Sequence, residues 1–240
     1  MISPPQLIDV ATLPGFELPY DHGMLTVTGR TFYPFAPKAE HVSRGDIINA
    51  LVRLPRYYGH TMRFYSVAEH TLLMHDLSHM EHFTPSDWHA YHERKQPYDA
   101  TTLRLYIMLH DAAEAYCGDM IAPIKNGIGP LFAEHVEAPI FRVICERFSL
   151  PPQLPEYVAW LDRTALIIER ASDWLFPLRG NDGDQWSEID AEIERGGHDY
   201  EGIAKRMIPC WPPHPVDLVE RFDSIMQAAT STRRSPDTPP

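Results

Sequence analysis

"LRLYIMLHDAAEAYCGDMIAPIK", residues 103–125, decides how the chain is read. A mostly apolar, helix-forming run carries His110 and Asp111 side by side at its middle. Glu114 follows within one turn, and Asp119 stands just past Gly118. Burying a charged side chain without a partner costs several kcal/mol. Either these groups neutralise one another inside a core, or something positive sits among them.

Working outward, the flanking sequence is also helical. "SRGDIINALVRL" has Ser43 as a candidate N-cap, Asp46 in its first turn, and Ile47, Ile48, Leu51, Val52 and Leu54 as an apolar face that Pro55 ends. "SVAEHTLLMHDLSHM" opens on Ser66 with Glu69 at the capping-box position. Residues 81–100 read as a loop or short helix, and the quoted stretch as a third long helix that stops near Gly118. A fourth, residues 129–150, should kink or split at Pro139. A fifth starts at Pro155 and stops at Pro177. "NDGDQWSEID" reads as a loop, followed by a short helix near residue 200 and a last helix from His214. The pattern predicts an all-α domain over residues 43–228. An irregular extension, residues 1–42, precedes it, with a short hairpin about Thr28-Gly29, and a disordered tail covers residues 229–240.

The bulk numbers bound the function. A chain of 240 residues that is 44% hydrophobic has enough material for one sizeable core. A net charge of −12 argues against a nucleic acid polymer as partner, because such proteins present basic surfaces. A small anionic substrate stays compatible, since one local site can oppose the overall field. The three cysteines are widely spaced with no CxxC, which points to a reducing cytosol and a cytoplasmic protein. The N-terminus lacks the features of a signal peptide, and no apolar run approaches the roughly 20 residues that span a bilayer.

On a helix, His110 and Asp111 project about 100° apart, close enough to flank one ion. Imidazole with carboxylate suits a divalent ion such as Co²⁺, Mn²⁺, Zn²⁺ or Fe²⁺, with Mg²⁺ also admitted by the carboxylates. Two ligands are too few for tight binding. His70, among Val67, Leu72 and Leu73, is the best third, and Asp162, among Val158, Leu161 and Ala165, the best fourth. Taken singly, each has an ordinary reading: His70 as a satisfied core histidine, Asp162 with Arg163 as a surface ion pair. His75, His79 and His82 also have helical spacing, but they read as a solvated face.

The segments "YSVAEH", "LHDAAEAYCGDMIAPIK" and "LDRTALIIERASD" together resemble the HD-domain metal-dependent phosphohydrolases, nearest the nucleotidase-like branch. "TVTGRTFYPFAP" and "DIINALVRLPRYYGHTMRFYSVAEH" are similar to phage and bacterial members of this branch, including phage enzymes that strip triphosphate from dATP, and the two resemblances together cover about residues 26–220. The resemblance implies an HD-domain helical bundle with one divalent metal ion held by His70, His110, Asp111 and Asp162. It implies Glu114 and Asp119 as catalytic acids beside the attacking water, and a dimer or hexamer. The expected activity is hydrolysis of a (deoxy)nucleotide, releasing phosphate from a dNMP or triphosphate from a dNTP. Arg56, His60, Arg63, Lys125 and Arg170 are the candidate phosphate ligands, and Tyr57, Tyr58, Phe64 and Tyr65 are candidates to stack on a base. The alternatives are a cyclic or signalling-nucleotide hydrolase on the same scaffold, and a non-catalytic nucleotide sensor containing a metal.

Overall fold

In the computed structural model, which describes residues 22–93, 97–178 and 184–231, the protein is all-α apart from one small hairpin. Strands β1 (Met24–Leu25) and β2 (Thr31–Phe32) pair antiparallel around Gly29, whose φ of +79° supplies the left-handed turn. The hairpin is tied to the helical body: the Thr28 backbone N–H and hydroxyl both donate to the Asp46 carboxylate, and Phe32 stacks on Tyr116 at 3.8 Å. The expected hairpin is therefore present, and residues 1–21 of the predicted extension lie outside the described residues.

Helix α1 (Arg44–Arg53) buries Ile47, Ile48, Leu51 and Val52, the face read from its apolar spacing. Helix α2 (Val67–Leu77) begins with the predicted capping box: the Ser66 hydroxyl accepts from the Glu69 N–H, and the Glu69 carboxylate accepts from the Ser66 N–H. Between them, residues 56–65 form a loop whose base is pinned by two backbone bonds, Arg56 N–H to the Tyr65 carbonyl and Val67 N–H to the Leu54 carbonyl. Helix α3 (Pro85–His92) settles residues 81–100 as containing a short helix, capped by Thr84 and Asp87. Because α2 ends at Leu77, His79 and His82 fall beyond the helix and are exposed, which removes the regular histidine stripe.

The quoted stretch is not one helix. Helix α4 (Ala100–Leu109) is capped by Asp99, and helix α5 (Glu114–Cys117) is a single turn. Between them the Ala112 and Glu114 N–H groups bond three residues back, so "HDAAE" is wound tighter than an α-helix. Gly118 at φ +85° and ψ 155° then ends α5 and turns the chain toward Asp119, a conformation that favours glycine. Helix α6 (Ala122–Ile128) follows, with Pro123 in its first turn.

The expected break near Pro139 is a π turn over Ala133–Glu137 that leads directly into α7 (Ala138–Arg147), with the proline in the first turn of α7. Helix α8 (Glu156–Arg170) starts after Pro155 but stops seven residues before Pro177. Two readings of the sequence are corrected downstream. Residues 184–190 are not loop: helix α9 (Asp184–Arg195) runs through them, because Trp186, Ile189 and Ile193 form an apolar stripe that packs on the core. After α10 (Tyr200–Met207), helix α11 (Pro215–Ser231) carries the helical body to residue 231, with Ala229 fully buried, so the predicted tail does not begin at 229. Residues 232–240 lie outside the described residues.

Helix α2 is the central element. It packs on α1, α4, α8 and α11, and all but two of its eleven residues are buried. No helix among the described residues is long and apolar enough to cross a membrane.

Candidate metal centre

Three elements bring four side chains to one point. His70 comes from the second turn of α2, His110 and Asp111 from the tight turn after α4, and Asp162 from the middle of α8. One ligand atom each from His70, His110 and Asp162 lies within 4.8 Å of the other two. His70 Nε2 is 3.0 Å from Asp162 Oδ1 and 3.9 Å from Asp111 Oδ2, and His110 Nε2 is 3.0 Å from that same Asp111 oxygen.

These contacts are not hydrogen bonds. Both Nε2 atoms are sealed from solvent yet have no hydrogen-bond partner, although a carboxylate oxygen lies 3.0 Å from each. Arg56 Nε and Glu114 Oε2 are likewise buried and unpartnered. Four of the eight such atoms among the described residues therefore belong to this one cluster. Native interiors rarely tolerate unpaired polar atoms, so their concentration marks a place built for something other than a protein side chain.

The opposite ring nitrogens are anchored. His110 Nδ1 lies 2.8 Å from the Ile107 carbonyl, and His70 Nδ1 lies 2.6 Å from Glu169 Oε1. Each anchor accepts an N–H from Nδ1, so in the neutral ring each Nε2 carries the lone pair toward the shared point, which is how metal-binding histidines are commonly oriented. Glu169 sits seven residues after Asp162, two turns along the same face of α8, and is wholly buried. It also accepts from Tyr65 Oη at 2.9 Å, from the Tyr57 hydroxyl and from Arg56 Nη2 at 3.3 Å.

The electrostatics fit the same reading. Burial acts against ionisation of Asp111, but His110, His70 and Arg56 hold its carboxyl well below the usual range. Burial also opposes a charged Asp162, and its contacts with His70 and His110 prevail, lowering its pKa. Burial and Arg56 work against a positive His70 ring, yet Glu169 and Asp162 raise its pKa to about 9. The cluster thus demands positive charge, which a proton or a cation supplies.

Glu114 and Asp119 behave differently from Asp111 and Asp162. Desolvation, reinforced by Asp111 and Asp119, pushes the Glu114 pKa well above its ordinary value. Asp119 is less buried, and it too is raised by desolvation and Asp111 against the pull of Arg56.

Of the expected phosphate ligands, Arg56 is at the centre, 3.4 Å from Asp111. Lys125 is near enough to act on Glu114 and Asp111, but its ammonium is paired with Glu137 at 2.6 Å. Arg63 is not brought in: it bonds Glu69 at 2.8 Å and the carbonyls of Phe64 and Pro209. Arg170 turns to α9, where both its Nε and Nη2 bond Asp190, and stacks over Trp186. His60 is exposed on the loop.

Among the aromatic candidates, Tyr57 and Tyr65 are committed to Glu169, whereas Tyr58 and Phe64 are exposed. Glu169 itself was identifiable in the sequence as an acid on the Asp162 face. Its role was not, because only the fold shows that His70 and two tyrosines meet it.

No protein-family profile matches the chain. It is 28% identical over 207 residues to the uncharacterized protein YfdR of Escherichia coli, a stretch covering 84% of this chain and 94% of that one. It is 32% identical over 131 residues to an uncharacterized protein of Rhodobacter capsulatus, covering 54% of this chain and 59% of the relative. Neither name carries an activity.

Proposed function

We propose that the protein is a metal-dependent phosphohydrolase acting on (deoxy)nucleotides, of the HD-domain kind that its motifs resemble. The observation that carries this reading is the convergence of His70, His110, Asp111 and Asp162 from three separate elements, with two Nε2 atoms buried and unspent. These four residues would hold one divalent ion. Such an ion supplies positive charge to a phosphoryl oxygen and lowers the pKa of the attacking water.

The remaining chemistry falls to the chain. Burial and the neighbouring Asp111 and Asp119 favour the protonated form of Glu114, so it suits the donor that gives its proton to the leaving oxygen. Asp119, more open to solvent, suits orientation of the water. Arg56 spans Asp111 and Glu169 while its Nε keeps an unused N–H, a geometry that favours binding an oxygen of the phosphoryl group. A purely structural metal needs neither Glu114 nor Asp119, which favours hydrolysis over a sensor.

The test is a panel of dNMPs, dNTPs, cyclic dinucleotides and guanosine tetraphosphate, assayed for phosphate and triphosphate release with Co²⁺ or Mn²⁺. Turnover is expected on the first two classes and should vanish in His110→Ala. Full activity in that variant would falsify the site.

A further inference from the structure

A cleft of about 870 Å³ lies between α3, α8 and the junction of α9 with α10. Trp160 and Thr164 line it from α8. Each is two residues from Asp162, and so about 200° around the helix from the metal cluster. Its wall is a run of rings: Phe83 is 6.1 Å from Trp160 and 4.9 Å from His198, which is 5.6 Å from Tyr200. The volume falls within the range of small-ligand sites.

Helix α3 closes one side of this cleft through a single buried side chain, Trp88, which is 4% exposed. Its indole Nε1 has no hydrogen-bond partner among the described residues and is shut off from water. A buried tryptophan normally finds an acceptor for that N–H. Across the cleft, Glu192 makes only long contacts, 3.4 Å to the Tyr200 hydroxyl and 3.6 Å to Arg163, so its carboxylate has lone pairs to spare. Arg195, His82 and His198 share the lining with Asp87 and Glu192, so the walls carry charge of both signs.

A ligand matched to these walls is flat and uncharged. It stacks on rings, offers a ring acceptor to Trp88 and presents an N–H₂ group to Glu192. We propose that the cleft binds an amino-bearing nucleobase, carried as a nucleoside, at a site separate from the metal centre.

The full chain is titrated with adenosine, cytidine, uridine and thymidine, followed by calorimetry and tryptophan fluorescence. Adenosine and cytidine should bind saturably, with uridine and thymidine at least tenfold weaker. Trp88→Phe should weaken adenosine at least tenfold; the smaller ring leaves a void in the core, so a modest fall in Tm accompanies it and does not bear on the affinity. Glu192→Ala should erase the preference for amino-bearing bases, and His110→Ala should leave binding unchanged. The idea is overturned by the absence of saturable binding at millimolar nucleoside, by unaltered affinity in Trp88→Phe, by equal binding of uridine, or by loss of binding in His110→Ala.

Discussion

At the residue scale, Glu169 is the side chain on which the proposed metal centre rests. Each carboxylate oxygen accepts two contacts: Tyr65 and His70 on Oε1, Tyr57 and Arg56 on Oε2. That fills the roughly four lone-pair positions an ionised carboxylate offers. Burial opposes its charge, but Arg56 and His70 outweigh it and hold the pKa at about 2. Glu169→Gln keeps the shape and removes the charge. Loss of an outer carboxylate of this kind typically costs ~10–100-fold in metal affinity, and calorimetry with Mn²⁺ or Co²⁺ should show a drop of that order. Glu169→Ala should also cost about 3–5 kcal/mol in urea unfolding, because it removes the fully buried carboxylate that pairs with both Arg56 and His70. Equal metal affinity in wild type and Glu169→Gln would separate this carboxylate from the ion site.

At the scale of the element, short irregular segments do the positioning. Tyr57 and Tyr58 have φ of +56° and +52°, followed by Gly59 at +77°. Left-handed non-glycine residues cost about 1–3 kcal/mol each and persist where surroundings over-determine them. Here the two backbone bonds at the loop's base and the bonds of Arg56 and Tyr57 to Glu169 provide that support.

Helix α4, which delivers His110, depends on its cap in the same way. The Asp99 carboxylate accepts from the N–H groups of Thr101 and Thr102 at 2.9 Å and from the Thr102 hydroxyl at 2.8 Å. Those bonds, the Thr102 N–H first, lower its folded pKa. Its stabilisation is therefore full above the ordinary carboxyl pKa and lost as pH falls through the depressed folded value. Asp99→Ala should cost ~1 kcal/mol at neutral pH, a penalty that shrinks in acid; thermal melts of both proteins from pH 7 to pH 3 measure it.

At the scale of the whole molecule, the proposed ion would join α2, the turn after α4, and α8, helices otherwise held by apolar packing. A ligand that binds only the folded state stabilises it by mass action, about 2.7 kcal/mol when free ion is a hundred times its Kd. Adding Mn²⁺ or Co²⁺ to chelator-treated protein should raise Tm, and His110→Ala should abolish the rise. An unchanged Tm in the wild type would argue that the four side chains do not hold an ion together.

The sequence alone determined the helical class, the starts of α1, α2 and α8, and four of the side chains at the centre. Those features depend on local physics: apolar periodicity, a capping box, a proline just before a helix, and His-Asp adjacency. It did not reveal α9, whose three apolar residues are too sparse to stand out beside "NDGD". Nor did it reveal the break of the quoted stretch into α4 and α5, because Ala112 and Ala113 fit a tight turn as readily as an α-helix. Tertiary structure alone decided which cations face the cluster. Arg56, Arg63 and Arg170 look equivalent in one dimension, but Glu69 and Asp190 hold the latter two elsewhere. A guanidinium goes to whichever carboxylate the fold brings within reach, and spacing along the chain does not encode that distance.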